Sequence, residues 1–402
     1  MKNIYKFIAS EFFLALYFAL PISTLFFIAK GIPFFQIMLL ESFLVVAMLL
    51  FEIPTGIFGD KFGRKWSIAA GTFLFIVSWI PWLLADNNFW LYALSEFITG
   101  IALTFYSGSE EALMYDELKY IGKENQMQKY YGLYVGIRKV GVGLASLLGG
   151  YLAIKHDMPS FYLLFKLSIV AEIISLLIIL TIKESPRTRF GNEKAQQPQK
   201  AMVFLKNGLT LLKNNKKLQR IALLMIFSTP FAMILTWGYQ LYFQDAHVSN
   251  AWFGVAAGIA SGISVFTSIF AHKLEKWFGV DRSMLLITLI PPVLWILMGL
   301  IFHPIIAIIL MIANWSITNF REPIFTDYQN RHIESYNRAT VLSTISLFGN
   351  VYALIMRPLF GFLIGYNLAL GFILLGIVIL IGSLLFRVKT EHTQTSEQIF
   401  VS

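Results

Sequence analysis

The sequence contains no cysteine, which removes disulfides, thiol nucleophiles and every zinc or iron–sulfur centre built on thiolates. It also leaves the redox compartment unread. Charge is scarce: Asp, Glu, Lys and Arg make up 14% of the 402 residues, against about a quarter in an ordinary soluble domain. A Gly-Lys-Ser/Thr phosphate loop and a Ser/His/Asp arrangement are missing, and the six histidines are scattered through loops and run ends, where they do not gather around a metal. ATP-driven pumping and hydrolysis are therefore disfavoured. The chain is expected not to be an enzyme and to need no metal or organic cofactor.

What the chain has is apolar length. Hydrophobic residues make up 57% of it and the mean hydropathy is +0.66, and the apolar runs are about 20 residues long, enough to cross roughly 30 Å of hydrocarbon as helices. No alternating strand pattern competes, so helices are the spanning element. Twelve runs stand out, at 6–29, 35–57, 66–85, 89–113, 128–153, 160–182, 219–243, 251–272, 283–302, 304–328, 339–365 and 367–387. The first is too long, and too lightly charged at its start, for a cleaved signal peptide and is expected to remain as one helix. The fold expected is an all-α integral membrane protein of twelve transmembrane helices in two six-helix bundles.

The net charge of +9 raises the question of a nucleic-acid partner, and sorting the basic residues by loop answers it. With the N-terminus inside, only Lys30 and Lys155 fall in outer connections, while Arg138, Lys139, Lys166, Arg321 and Arg357 sit within runs. All the other Lys and Arg lie on the inner side, which is the positive-inside signature. Both termini are thus expected to be cytoplasmic, the partner is the lipid bilayer rather than nucleic acid, and the expected location is the plasma (inner) membrane of a bacterium, as a monomer. The bundles are expected at 1–183 and 219–390, joined by a cytoplasmic linker at 184–218 and followed by a tail at 391–402. A faint internal echo relates them: Asp60-Lys61-Phe62, Gly63 and Arg64 after the second run, and Glu275-Lys276-Trp277, Gly279 and Arg282 after the eighth.

The passage from Gly56 to Lys65 is the one stretch whose spacing is not simply hydrophobic. Gly56, Asp60, Lys61, Gly63, Arg64 and Lys65 match, position by position, the second cytoplasmic connection of the major facilitator superfamily, which the whole chain resembles in its twelve runs and central loop. The resemblance implies a cytoplasmic gating latch between the two halves, with Asp116 as the partner of Arg64, and transport by alternating access. Gly56 and Gly63 suit close helix approach and a tight turn. Two departures leave the direction of transport open. The drug exporters of the family usually carry an arginine in the fourth run where Ser95-Glu96-Phe97 stands, and a Gly-Pro pair in the fifth, where Gly141 to Gly150 keeps the double glycine without the proline.

Charges inside the runs cost about 2.5 to 3.5 kcal/mol on insertion scales, so they face the interior and find partners. Glu96, Glu172 and Glu11 are the proton-coupling candidates, because a carboxyl in a water-filled cavity can alternate between protonated and ionised forms. Glu96, Arg138 and Lys139 are expected to line a central cavity from the first half, and Asn314, Trp315, Asn319 and Arg321 from the second. Thr229-Pro230 is expected to kink the seventh run, and Trp237, Tyr239 and Tyr242 read as membrane-interface anchors. The function expected is secondary transport of a small organic solute driven by protons. The abundant Phe, Trp, Tyr and Met favour efflux of an amphipathic, drug-like compound, and Arg138, Lys139 and Arg321 favour import of an organic anion. A non-transporting receptor or scaffold is a third reading, against which the intact latch argues.

Overall fold

The computed structural model describes residues 1–183, 208–213, 215–228, 231–331 and 338–388. Linker residues 184–207, Thr229-Pro230 and the tail at 391–402 lie outside them. All regular structure among the described residues is helical. The chain runs through α1 (Lys2–Leu14), α2 (Ser23–Ala29), α3 (Phe34–Phe62), α4 (Arg64–Leu84), α5 (Phe89–Tyr106), α6 (Ser109–Tyr120), α7 (Met127–Leu152) and α8 (Met158–Leu180). It continues through α9 (Lys216–Ser228), α10 (Phe231–Asp245), α11 (Ala251–Leu300), α12 (Pro304–Arg331), α13 (Arg338–Tyr366) and α14 (Leu368–Leu385). Among the described residues, nine helical stretches are long and apolar enough to cross a membrane, and three shorter apolar ones, Leu20–Ala29, Ala251–Ser264 and Pro304–Asn319, lie in the runs at 6–29, 251–272 and 304–328.

Two apolar runs and one connection are built differently from the sequence reading. The run 6–29 is not one helix: α1 stops at Leu14, a 3₁₀ turn spans Leu20–Ile22, and α2 follows. Pro21, in the first turn of the 3₁₀ segment, keeps a continuous helix from running through 17–21, because it has no N–H to donate and its ring would clash with the carbonyl four residues earlier. One freed backbone donor is taken up by a neighbour, Phe18 N donating to Ser168 Oγ of α8 at 3.1 Å. The run 89–113 parts at Ser107-Gly108, where Gly108 takes φ 67°. The connection expected between 272 and 283 is largely helical, since α11 runs through it and is broken only at Gly279.

The described residues of Met1–Arg189 together with Val248–Val265 form one compact unit, and those of Phe190–His247 and Phe266–Ser402 a second. The first unit is packed through the glycines of α7. A Cβ added at Gly149 would lie 2.0 Å from the Phe18 carbonyl of the broken first run, and one at Gly150 would lie 2.5 Å from Gly254 Cα in the arm Ala251–Ser264. The double glycine is therefore a packing device with backbone on both sides, and that explains its survival without the proline.

The internal echo has a structural counterpart. Gly63 ends α3 with φ 116° and ψ 149°, and Gly279 breaks α11 with φ 75° and ψ 167°, a backbone region that is essentially glycine-only. The aromatic anchors of the seventh run need correction: Tyr239 and Tyr242 are wholly buried, with Tyr242 OH donating to the Ile301 carbonyl at 2.6 Å. They are core, not interface.

Candidate functional site

The loop joining α3 to α4 is held by short polar contacts. Arg64 pairs with Asp60 at 2.6 Å, one turn away, so Asp60 as well as the expected Asp116 belongs in the arginine's account. Ser67 Oγ donates to the Phe105 carbonyl at 2.7 Å and accepts from Ser109 Oγ at 3.1 Å, tying α4 to the end of α5 and the start of α6. The glycine of close approach is Gly59 rather than Gly56. A Cβ at Gly59 would come within 3.2 Å of Arg64 Nη1 and 3.3 Å of Ser109 Oγ, whereas one at Gly56 would meet nothing within 4 Å. Gly63 supplies the expected turn. Lys61 lies over the Phe62 ring at 5.3 Å and Lys65 Nζ donates to the Leu180 carbonyl at 2.8 Å. Asp116 lies half-buried on α6.

Arg138 is bound into an ion network. Its Nε donates to Glu11 of α1 and its Nη2 to Glu110 of α6 at 2.7 Å. Tyr134, one turn before it on α7, stands 2.7 Å from a carboxylate oxygen of each and accepts from Arg138 Nη2 at 3.0 Å. Glu11 is only 3% exposed. Arg138 thus joins three helices through Glu11 and Glu110, in place of the cavity wall that it was expected to share with Glu96. Lys139 donates to the Ser264 carbonyl at 2.9 Å, at the end of the arm that packs on α7. Glu110 stood out in the sequence only as one of an acidic pair with Glu111 before Asp116, and Tyr134 was missed; the four-residue spacing of Tyr134 and Arg138 on one helix face was the available signal.

Glu96 sits elsewhere, in a group of acids. Glu41 of α3, Glu96 of α5 and Glu172 of α8 are all buried. Glu41 is the charged neighbour of Glu96, and the half-buried Tyr17, whose hydroxyl is 3.0 Å from Ser23 Oγ, lies within electrostatic reach of all three. Glu172 Oε1 accepts from Trp79 Nε1 at 2.9 Å, while Oε2 is buried and has no hydrogen bond from the described residues. The break in the first run is what brings Tyr17 here. Above this group, Phe26 packs on Trp82 and Phe165 with ring centroids 5.6 and 4.7 Å away. Much of the aromatic content of the first unit is thus core rather than cavity lining.

The second unit contains a cavity of about 370 Å³. Arg321 reaches it from α12 together with Trp315, Thr318 and Asn319, while α10 contributes Met233 and Thr236. The Arg321 guanidinium lies 5.6 Å from the Phe325 ring centroid, and Asn319 Nδ2 donates to the Trp315 carbonyl at 2.8 Å. Asn314 does not line the cavity. It is wholly buried, with Nδ2 3.7 Å from Met298 Sδ. The sequence reading missed Met225 of α9 and Met233 and Thr236 of α10, which also line the cavity, because no charge marks them among apolar neighbours.

An all-helical chain with many stretches long and apolar enough to span a membrane, and a polar glycine-bearing loop between two of them, has the build of a multi-pass membrane transporter rather than an enzyme. The model of the Major Facilitator Superfamily matches residues 7–334, and the chain belongs to that family. It is 23% identical to the uncharacterised MFS-type transporter YxaM of Bacillus subtilis (strain 168), over 92% of this chain and 90% of that protein. It is 26% identical to the quinolone resistance protein NorA of Staphylococcus aureus (strain Mu50 / ATCC 700699), over 76% of this chain and 72% of that protein. The crystal structure of the nucleoside transporter NupG shares its fold with a TM-score of 0.73 at 14% identity, covering 98% of this chain and 100% of that one.

Proposed function

We propose that this transporter exports small amphipathic, drug-like compounds from the cell by alternating access, in exchange for protons. The proposal includes twelve membrane helices in two bundles, both termini cytoplasmic, in the inner membrane of a bacterium, acting as a monomer without a cofactor. The observation that carries it is the set of three buried carboxylates in the first unit, Glu41, Glu96 and Glu172, each within electrostatic reach of Tyr17. A group of carboxylates offers one place that either protons or a cationic substrate can occupy. Occupancy by one then competes with occupancy by the other, which is the requirement of exchange. The likeness to a quinolone resistance protein supports efflux, and the latch at Gly59 to Lys65 supports a protein that changes state. Proteoliposomes with an imposed proton gradient, screened with cationic drugs and organic anions, test this. Uptake of a cationic compound against the gradient is expected, and absence of flux under every gradient would overturn it.

A second reading is favoured by Arg321. A guanidinium in a cavity lined by Trp315, Thr318 and Asn319 suits a carboxylate or other planar anion, and that chemistry fits proton-coupled import of an organic anion. In the same vesicles, anion accumulation down the proton gradient would select it.

A further inference from the structure

The geometry points to a binding site for one anionic phospholipid in the groove between α1 and α8. Lys2, Tyr5, Lys6 and Ala9 recur at the spacing that places them on one face of α1. Ile174, Leu177, Ile178 and Thr181 do the same on α8, and these eight residues line an open groove of about 590 Å³. Its polarity is graded. Lys2, Tyr5, Lys6 and Thr181 surround one end, and Ile174, Leu177 and Ile178 with the small Ala9 form the rest. From Thr181 to Ile174 is about 10 Å of helix, which holds a phosphate and glycerol at the mouth and the first part of an acyl chain below. Tyr5 is 53% exposed and Leu177 58% exposed, so the groove opens toward lipid rather than into the bundle.

Charge identifies the occupant. Lys6 Nζ donates to the Thr181 carbonyl at 2.9 Å and Lys65 Nζ to the Leu180 carbonyl at 2.8 Å. These two bonds offset the negative end of the α8 dipole and leave each ammonium with further donors. Asn3 Nδ2 bridges the Lys183 carbonyl at 2.6 Å and Glu117 Oε2 at 3.0 Å, fixing the start of α1 to the end of α8. Lys2, Lys6 and Lys65 thus lie at this corner, with the buried Glu117 as the acid joined to it. A phosphodiester without a compensating ammonium, as in phosphatidylglycerol, complements that field, whereas a zwitterionic headgroup does not. The site lies in the leaflet where α1 begins, the cytoplasmic one in the orientation proposed above, and it is independent of the cargo.

Because the chain has no cysteine, one introduced thiol reports on one place. The full-length protein carrying Leu177→Cys with a fluorophore, in vesicles of phosphatidylcholine with brominated phosphatidylglycerol or brominated phosphatidylcholine, measures which lipid occupies the groove. Val170→Cys, at an exposed position on the same helix, is the control. Quenching at 177 is expected to favour phosphatidylglycerol by about fivefold per lysine engaged. It should fall by about that factor in Lys2→Gln, whose side chain is exposed, and fall again with Lys6→Gln. Ala9→Leu, which narrows the groove without changing charge, should lower quenching at 177 by both lipids. Equal quenching by the two lipids at 177, or the same preference at 170 as at 177, would show only diffuse attraction and overturn the site. So would a preference that survives Lys2→Gln and Lys6→Gln together.

Discussion

The two units handle buried charge in opposite ways. In the first, Arg138 is tied to Glu11 and Glu110 across three helices, while Glu41, Glu96 and Glu172 form a separate acid group. In the second, Arg321 lies on a cavity wall among aromatic, amide and hydroxyl side chains. The difference separates a charge tied to carboxylates on neighbouring helices from charges without such a tie, which the proposed function assigns to protons and substrate. Removing the first kind should cost stability, and removing the second kind should cost function.

The largest effect is expected from Arg138→Leu. It strands the buried Glu11 carboxylate and should destabilise the detergent-solubilised protein by about 3 kcal/mol, at the low end for a broken buried pair because Arg138 is 40% exposed. Thermal unfolding reads this, and Glu11→Gln in the same background should restore part of the loss; an unchanged melting temperature would break the comparison. Arg321→Gln should instead raise the KM for anionic compounds about tenfold, the loss of one charge-assisted bond. Cationic compounds should be transported as before, and equal losses for both would mean that Arg321 is structural. Gly63→Ala and Gly279→Ala each force a glycine-only backbone conformation and should cost about 1 kcal/mol. Similar losses at both support the echo between the halves, and a cost at only one removes it. The smallest effect concerns the latch: Gly56→Ala should transport normally, while Gly59→Ala, crowding Arg64 and Ser109, should slow turnover severalfold with substrate binding intact.

The sequence made the membrane fold legible because hydrocarbon thickness imposes run length directly, and the loop from Gly56 to Lys65 was legible because its spacing is specific. Pairings were harder to read. Arg138 and Glu96 were both read as lining one central cavity because both lie at depth in neighbouring runs, yet Arg138 meets Glu11 of α1 instead, and the first run is broken before Pro21, with Tyr17 of the broken stretch within electrostatic reach of Glu96. That break is written in one residue, and its consequence appears only in packing, where Ser168 and Gly149 receive the displaced backbone at Phe18. Gly56 looked like the glycine of close approach because the family motif names it, while contact falls on Gly59, one helical turn closer to Arg64. The cavity of the second unit was half legible: Trp315, Asn319 and Arg321 were marked by polarity, whereas Met225 and Met233 were invisible among apolar neighbours.

Proton movement itself tests the central claim most directly. Proteoliposomes loaded with a pH-sensitive dye receive a transported cationic compound from outside, with wild type and Glu96→Gln side by side. Exchange predicts that the interior of wild-type vesicles becomes more alkaline as the compound enters, and that Glu96→Gln binds the compound with no such change. An equal proton signal from Glu96→Gln would contradict the role of the acid group in coupling.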